Sequence, residues 1–205
     1  LQKRRAELND ELQAIFPPWK VMTKSGISKV NNKKLGRKKD EYFEVWKEVV
    51  FNPASRDHIA DRLQKLRGWK PKEFTDGGKP KVDETVLEAL PWPEAKVLAE
   101  YFLVQKRLGQ VSEGDQAWLK KERGGRIHGA VNTNGAVTGR MTHSNPNIAQ
   151  VPKVGVPYGE ECRSCFKASD GLVLVGCDAE GLELRMLGHY MAKWDGGAYS
   201  EAVVN

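Results

Sequence analysis

The chain has 205 residues, enough for one ordinary domain or two small ones. Lys and Arg outnumber Asp and Glu by 33 to 27, a net charge of +6 that favours an anionic partner. No apolar run approaches the length of about 18 residues that a membrane-spanning helix needs, and the mean hydropathy of −0.58 reads as a soluble chain.

Three cysteines cannot close a disulfide framework, so a reducing compartment is expected. The opening Leu1-Gln2-Lys3-Arg4-Arg5 leads into Ala6-Glu7-Leu8 and not into an apolar secretory segment. The chain does not begin with Met and stops at Val203-Val204-Asn205, which reads as a piece of something larger.

In chain order, residues 1–16 read as a helix with Leu1, Leu8, Leu12 and Ile15 on one face, stopped by Pro17-Pro18. Residues 19–40 read as a basic loop: Lys20, Lys24, Lys29, Lys33, Lys34, Arg37, Lys38 and Lys39 stand among Ser, Gly and Asn. Such a charge block is either a solvated insertion or an arm lying along phosphates. Phe51-Asn52-Pro53 is expected to open a second helix, capped by Asn52 or Ser55, with Ile59, Leu63 and Leu66 on one face and Gly68 at its end. The first two helices are expected to form an antiparallel hairpin. Residues 70–82 read as a loop. Asp83 caps a short helix through Leu87 and Leu90, and a longer helix follows Pro93, carrying Leu98, Tyr101, Phe102, Gln105 and Leu108 with the basic pair Lys106 and Arg107.

From Gly124 the pattern changes. Residues 126–131 alternate and read as a strand, and residues 132–139 are rich in turn formers. Leu172-Val173-Leu174-Val175-Gly176-Cys177 reads as a short buried strand with Asp178 at its carboxyl end, and residues 181–194 as a helix. The fold class is therefore α/β in the α+β sense: a helical part to about residue 123, then the opening of an α/β part over 124–205.

Asp178-Ala179-Glu180-Gly181-Leu182-Glu183 carries the most chemistry. Carboxylates fixed at a strand end suit hard divalent cations, and Glu180 and Glu183 are one helical turn apart. The competing reading is a helix start enriched in acids for dipole reasons. Thr138-Gly139-Arg140 through Asn147 offers donors for phosphates and base edges, against an ordinary capped turn; no Gly-Lys-Ser/Thr makes it a phosphate loop. Cys162 and Cys165 have half a zinc spacing and no second pair. The histidines at 58, 128, 143 and 189 show no metal-ligand spacing, and the six tryptophans read as core or loop anchors.

Three segments together resemble family A DNA polymerases. Thr138-Gly139-Arg140 with Pro146-Asn147-Ile148-Ala149-Gln150-Val151-Pro152 is similar to that family's "TGR…PNLQNIP". Gly159-Glu160-Glu161-Cys162-Arg163-Ser164-Cys165-Phe166 is similar to the "G…IRxAF" stretch after it, and Asp178 to Arg185 resembles motif A, "DYSQIELR". Order and spacing are the family's. Ala149-Gln150, Asp178-Ala179 and "VVFNPASRDHI" point to the podovirus replicative branch, the coliphage T-seven type.

The resemblance implies a thumb over residues 1–123, with a basic loop at 17–50, and the N-terminal palm over 124–205, with motif A at 178–185. It implies two Mg²⁺ ions, with Asp178 and the carbonyl of Ala179 as ligands and the site completed by residues outside this chain. Glu183 matches the residue that packs against the incoming sugar and excludes a 2′-hydroxyl. Arg140 matches the minor-groove reader at the primer end, and Thr138, Asn147 and Gln150 lie beside it as duplex contacts. Lys106 and the loop residues Lys33, Lys34, Arg37 and Lys38 are expected along phosphates. Glu180 stands where the family has Ser, an added carboxylate beside the bound nucleotide.

The implied partners are primer-template DNA, deoxynucleoside triphosphates, and a second polypeptide or segment carrying the fingers and C-terminal palm, in the cytoplasm of a phage-infected bacterium. The loop at 17–50 is shorter and more basic than the thioredoxin-binding loop of the coliphage type, which implies direct DNA clamping in place of thioredoxin dependence. The rival function is a non-catalytic primer-template binding module.

Overall fold

The computed structural model describes residues 1–204, the side chains of Lys33 and Val204 excepted. The mixed α/β class holds, with helices and three small two-stranded antiparallel sheets. The chain divides into two compact units, Leu1–Pro152 and Lys153 onward.

In the first unit, α1 (Gln2–Ile15) ends before the two prolines and buries Leu8 and Leu12. Where a basic loop is expected the chain forms a β-hairpin, β1 (Trp19–Ile27) against β2 (Tyr42–Val49). Lysines mask the alternation, but the cross-strand pairs are ones a sheet favours. Met22 stands opposite Trp46, Trp19 opposite Val49, and a bulge at Thr23 resets the register. The tip, residues 28–41, is organised largely by side-chain amides, with the Glu41 carboxylate accepting from the Lys38 N–H at 3.1 Å. The Asn31 Oδ1 accepts from the Lys39 N–H at 2.7 Å, and the Asn32 Oδ1 accepts from the Leu35 N–H at 3.2 Å. Backbone order there needs no apolar burial, so the cations can project outward.

The next helix, α2 (Arg56–Arg67), starts later than expected. Ser55 is its cap, accepting from the His58 N–H, while Asn52 caps the preceding turn through the Ala54 N–H at 3.0 Å, and Pro53 lies in that turn. Gly68, at φ 64°, ends it. Asp83 caps α3 (Glu84–Glu88), and α4 (Pro93–Leu108) runs into a π-helical turn, Gly109–Glu113. The expected α1–α2 hairpin does not form: α1 packs chiefly on α4. The reason is visible in the side chains. Arg4 holds Glu100 with two bonds of 2.7 and 2.8 Å, and Arg5 reaches Glu113 at 2.6 Å. The core combines Leu8, Leu12, Phe16, Phe51, Ile59, Leu63, Leu98 and Val104, with Phe16 and Phe51 ring centroids 4.5 Å apart.

After α5 (Trp118–Lys121) the expected strand at 126–131 is split. β3 (Glu122–Arg123) pairs with β4 (Arg126–Ile127), and β5 (Ala130–Asn132) pairs with β6 (Thr142–Ser144). The break is Gly129, where a Cβ would stand 3.0 Å from the Pro146 carbonyl.

The second unit holds α6 (Gly159–Ser164), α7 (Leu182–Asp195) and α8 (Ala198–Val204). Asp195 caps α8 by accepting from the Gly197 and Tyr199 N–H groups at 2.9 Å. The α7–α8 crossing is close: a Cβ on Gly188 would lie 3.2 Å from the Ser200 Cα. Among the described residues no helix is long and apolar enough to cross a membrane.

Acid should loosen the first unit. Burial pushes the Glu94 carboxyl up, but the Arg67 guanidinium and a backbone N–H outweigh it and hold it below its ordinary 4.5. Arg4 depresses Glu100 against a smaller burial effect, and burial pushes the Asp61 carboxyl up but is outweighed by Lys65 and Arg62 together. A depressed carboxylate contributes stability above its unfolded-state value and loses it as pH falls through its folded-state value. Urea midpoints should therefore be level from about pH 7 to 5 and drop below about pH 4.5; a level midpoint down to about pH 3 would contradict these pairs.

Candidate nucleic-acid interface

Thr138-Gly139-Arg140 lies in the turn between β5 and β6. The Gly139 N–H donates to the Ala136 carbonyl at 2.9 Å, and the Ala136 N–H to the Arg140 carbonyl at 3.2 Å. Gly139 sits at φ 79°, open to glycine at little cost. The turn leaves Thr138 and Arg140 exposed. Asn147 follows β6 and is half-buried, with its Oδ1 buried and unpaired. Gln150 ends a short 3₁₀ turn, Ile148–Gln150, and is exposed.

Lys106 extends from α4, and its Nζ lies 3.3 Å from the Glu84 Oε2. It edges an open hollow of about 380 Å³ shared with Arg56, Tyr101, Phe102 and Gln105. Arg56 donates from Nε to the Val82 carbonyl at 2.9 Å and stands 5.9 Å over the Phe102 ring. Burial raises the Tyr101 hydroxyl above its ordinary 10.0, so it stays protonated.

At the hairpin tip Lys34 and Lys38 are exposed; the Lys33 side chain lies outside the described residues. Arg37 is half-buried because its guanidinium stacks 3.8 Å over the Phe43 ring, with the Lys24 Nζ 6.0 Å from the same ring. The opposite strand face presents Tyr42 and Trp46, whose polar atoms both donate to Glu44. The tip is thus a cationic end on an ordered ribbon.

In the second unit the structure departs from the sequence expectation. Residues 172–177 form no strand and are exposed, Val175 at 88 %. A strand exists only by pairing, and among the described residues none lies beside this segment. Asp178 and Ala179 are exposed in irregular chain. Glu180 precedes Gly181, whose φ of 60° turns the chain into α7, and Glu183 is in the first turn of that helix. Glu180 and Glu183 are therefore not on one helix face. The Arg185 Nε donates to the Glu180 carbonyl at 2.8 Å and so pins that turn. Asp178 and the Ala179 carbonyl are hard oxygen donors of the type Mg²⁺ takes. Among the described residues no three His, Cys, Asp or Glu side chains come together as a metal site. Cys162 is buried and Cys165 exposed.

Two residues near these motifs carry no sequence signal. Gln110 and Gln116 reach the segment holding Asn147 and Gln150, and only the fold brings them there.

Residues 23–194, which carry most of the basic hairpin, the Thr-Gly-Arg turn and the Asp178–Arg185 segment, match the family model described as DNA polymerase family A. The chain belongs to that family. It is similar to the DNA-directed DNA polymerases of Enterobacteria phage T3 and Escherichia phage T7, each 51 % identical over 172 residues, covering 77 % of this chain and 24 % of the relative. It is also similar to the thermostable DNA polymerase I of Thermus aquaticus, 35 % identical over 143 residues, covering 68 % of this chain and 17 % of that protein. The chain thus spans about a quarter of the length of the phage relatives, at the 24 % coverage given.

Proposed function

We propose that this chain is the thumb, residues 1–123, and the N-terminal palm, residues 124–205, of a template-directed DNA polymerase that extends a primer 3′ end with deoxynucleotides. The observation that carries the reading is the Thr138-Gly139-Arg140, Pro146–Pro152 and Asp178–Arg185 series in a chain of this family. Arg140 addresses the minor groove at the primer end, where acceptors are nearly alike for every base pair, so it checks pair geometry without reading sequence. Thr138, Asn147 and Gln150 contact the duplex beside it. Lys106, Lys33, Lys34, Arg37 and Lys38 contact phosphates, which makes the hairpin a direct DNA clamp in place of a thioredoxin-type factor. Asp178 and the Ala179 carbonyl would hold Mg²⁺, which when bound stabilises charge on the transferring phosphoryl group. Glu183 and Glu180 face the nucleotide. The setting is the cytoplasm of a phage-infected bacterium.

A metal centre completed by a complementing segment fits the described residues, among which no three His, Cys, Asp or Glu side chains gather as a metal site. The exposure of Leu172, Val173, Leu174 and Val175 supports a complementing segment with fingers and C-terminal palm that covers them. A primer-extension gel tests this. The chain alone should make no product, and the chain refolded with that segment should extend the primer; synthesis by the purified chain alone would overturn the reading. If the pair binds DNA and never extends it, the chain is a non-catalytic primer-template binding module.

The hairpin tip gives a second measurement. Each phosphate neutralised steepens the salt dependence of binding by roughly 0.9. Replacing Lys33, Lys34, Arg37, Lys38 and Lys39 with Gln should flatten the slope of log affinity against log salt by about 2 to 4. An unchanged slope would make the tip a solvated insertion.

A further inference from the structure

The Asn145–Gln150 segment is held at both ends by side chains from one stretch of chain, residues 109–117. That stretch is itself fixed. The Gly114 N–H closes the π-helical turn on the Gly109 carbonyl at 3.0 Å, and a Cβ at Gly114 would stand 2.5 Å from that oxygen. Glu113 is tied to α1 through Arg5, and its carbonyl accepts from the Lys120 Nζ at 2.7 Å. A π-helical turn inside a helix often marks a functional position.

At the far end of the segment the chemistry dictates how Gln110 is oriented. Arg107 is buried and its NH1 donates to the Gln110 Oε1 at 2.9 Å. A guanidinium only donates, so the amide must turn its oxygen to Arg107 and its NH₂ away. That NH₂ lies 3.4 Å from the Gln150 carbonyl. Among the described residues no carboxylate pairs with Arg107, and its Nε is buried without a partner, so Gln110 is the acceptor that holds the guanidinium. At the near end the roles reverse. The Asn145 N–H, on a residue with φ 57°, donates to the Gln116 Oε1 at 3.0 Å.

We infer that Gln110 and Gln116 are positioning residues for primer-template DNA, fixing the Asn145–Gln150 segment from its two ends. This rests on the reading of Asn147 and Gln150 as duplex contacts. Gln110 acts as a donor to the segment and Gln116 as an acceptor from it. The same substitution must then have opposite consequences at the two positions.

The test compares Gln110→Glu with Gln116→Glu in the full chain. Both add one negative charge at a similar distance along the chain from Asn147. Gln110→Glu keeps an acceptor for Arg107, so the fold is retained, but it presents a carboxylate to the Gln150 carbonyl and releases the segment. Gln116→Glu keeps the acceptor for Asn145. Amide hydrogen exchange over residues 145–151 and fluorescence-anisotropy titration with a primer-template duplex are the readouts, with thermal unfolding as the control. Gln110→Glu should speed exchange and weaken duplex binding by about 3- to 10-fold, the range for one lost hydrogen bond, while Gln116→Glu stays within about 2-fold of the parent. Gln116→Met, which removes the acceptor, should behave like Gln110→Glu. Equal effects from the two Glu variants would reduce the result to added charge and overturn the proposal, as would exchange in Gln110→Glu identical to the parent. A parent chain that binds no duplex overturns the DNA reading of the segment and with it the DNA role of both glutamines, whereas the exchange arm tests the clamp by itself.

Discussion

Asp178→Asn is expected to abolish primer extension by the completed polymerase and to leave duplex affinity within about twofold of the parent, as expected for a residue that makes no phosphate contact. The two side chains have nearly the same volume, and Asp178 is exposed in irregular chain just before α7, so the exchange removes no packing. What it removes is a full negative charge and a hard oxygen ligand. An amide oxygen offers one weaker donor and no charge to a divalent cation. Loss of about 4 kcal/mol of transition-state stabilisation corresponds to roughly a 10³-fold fall in rate. Single-turnover extension by the reconstituted pair measures it, with anisotropy on the same DNA as the binding control. Activity within tenfold of the parent would remove Asp178 from the catalytic position; a parallel loss of DNA binding would make its role structural.

The parts of the fold that were legible in the sequence are those set by local chemistry. Ser55 and Asp83 cap helices because their oxygens reach the N–H groups of His58 and Val86, and Gly68 ends α2 because its φ of 64° suits glycine. Leu8 and Leu12 announce the buried face of α1 by spacing alone. The larger misreadings are pairings between distant residues. Composition made residues 19–40 a loop, since the lysines hide a ribbon held by Met22 against Trp46 and by Arg37 on Phe43. Composition made residues 172–177 a buried strand, yet burial and pairing both need neighbours that the described residues do not supply. The partner of α1 is not visible in the sequence, since Arg4 and Glu100 lie far apart along the chain. For the candidate site, the motif residues themselves could be read from order and spacing. Their supports could not: nothing in the sequence says that Gln110, held by Arg107, and Gln116 converge on Asn145–Gln150.

Glu183→Ala is expected to lower the preference for deoxynucleotides over ribonucleotides at least about tenfold, equivalent to about 1.4 kcal/mol between the two transition states. Glu183 stands in the first turn of α7, whose start is set by the left-handed Gly181 and by the Arg185 bond to the Glu180 carbonyl. A side chain that lies against the sugar discriminates by leaving no space for an added hydroxyl. Alanine keeps the helix, since it is the strongest helix former, and forfeits the favourable placement of an acid at the helix start, worth about 0.3–1 kcal/mol. A change in selectivity would therefore not be a by-product of unfolding. The measurement is kcat/KM for matched deoxy- and ribonucleotides with the reconstituted pair. The ribonucleotide value should rise while the deoxynucleotide value stays level or falls. If both fall together, Glu183 serves the reaction without discriminating the sugar; if the ratio does not move, it does not face the 2′ position.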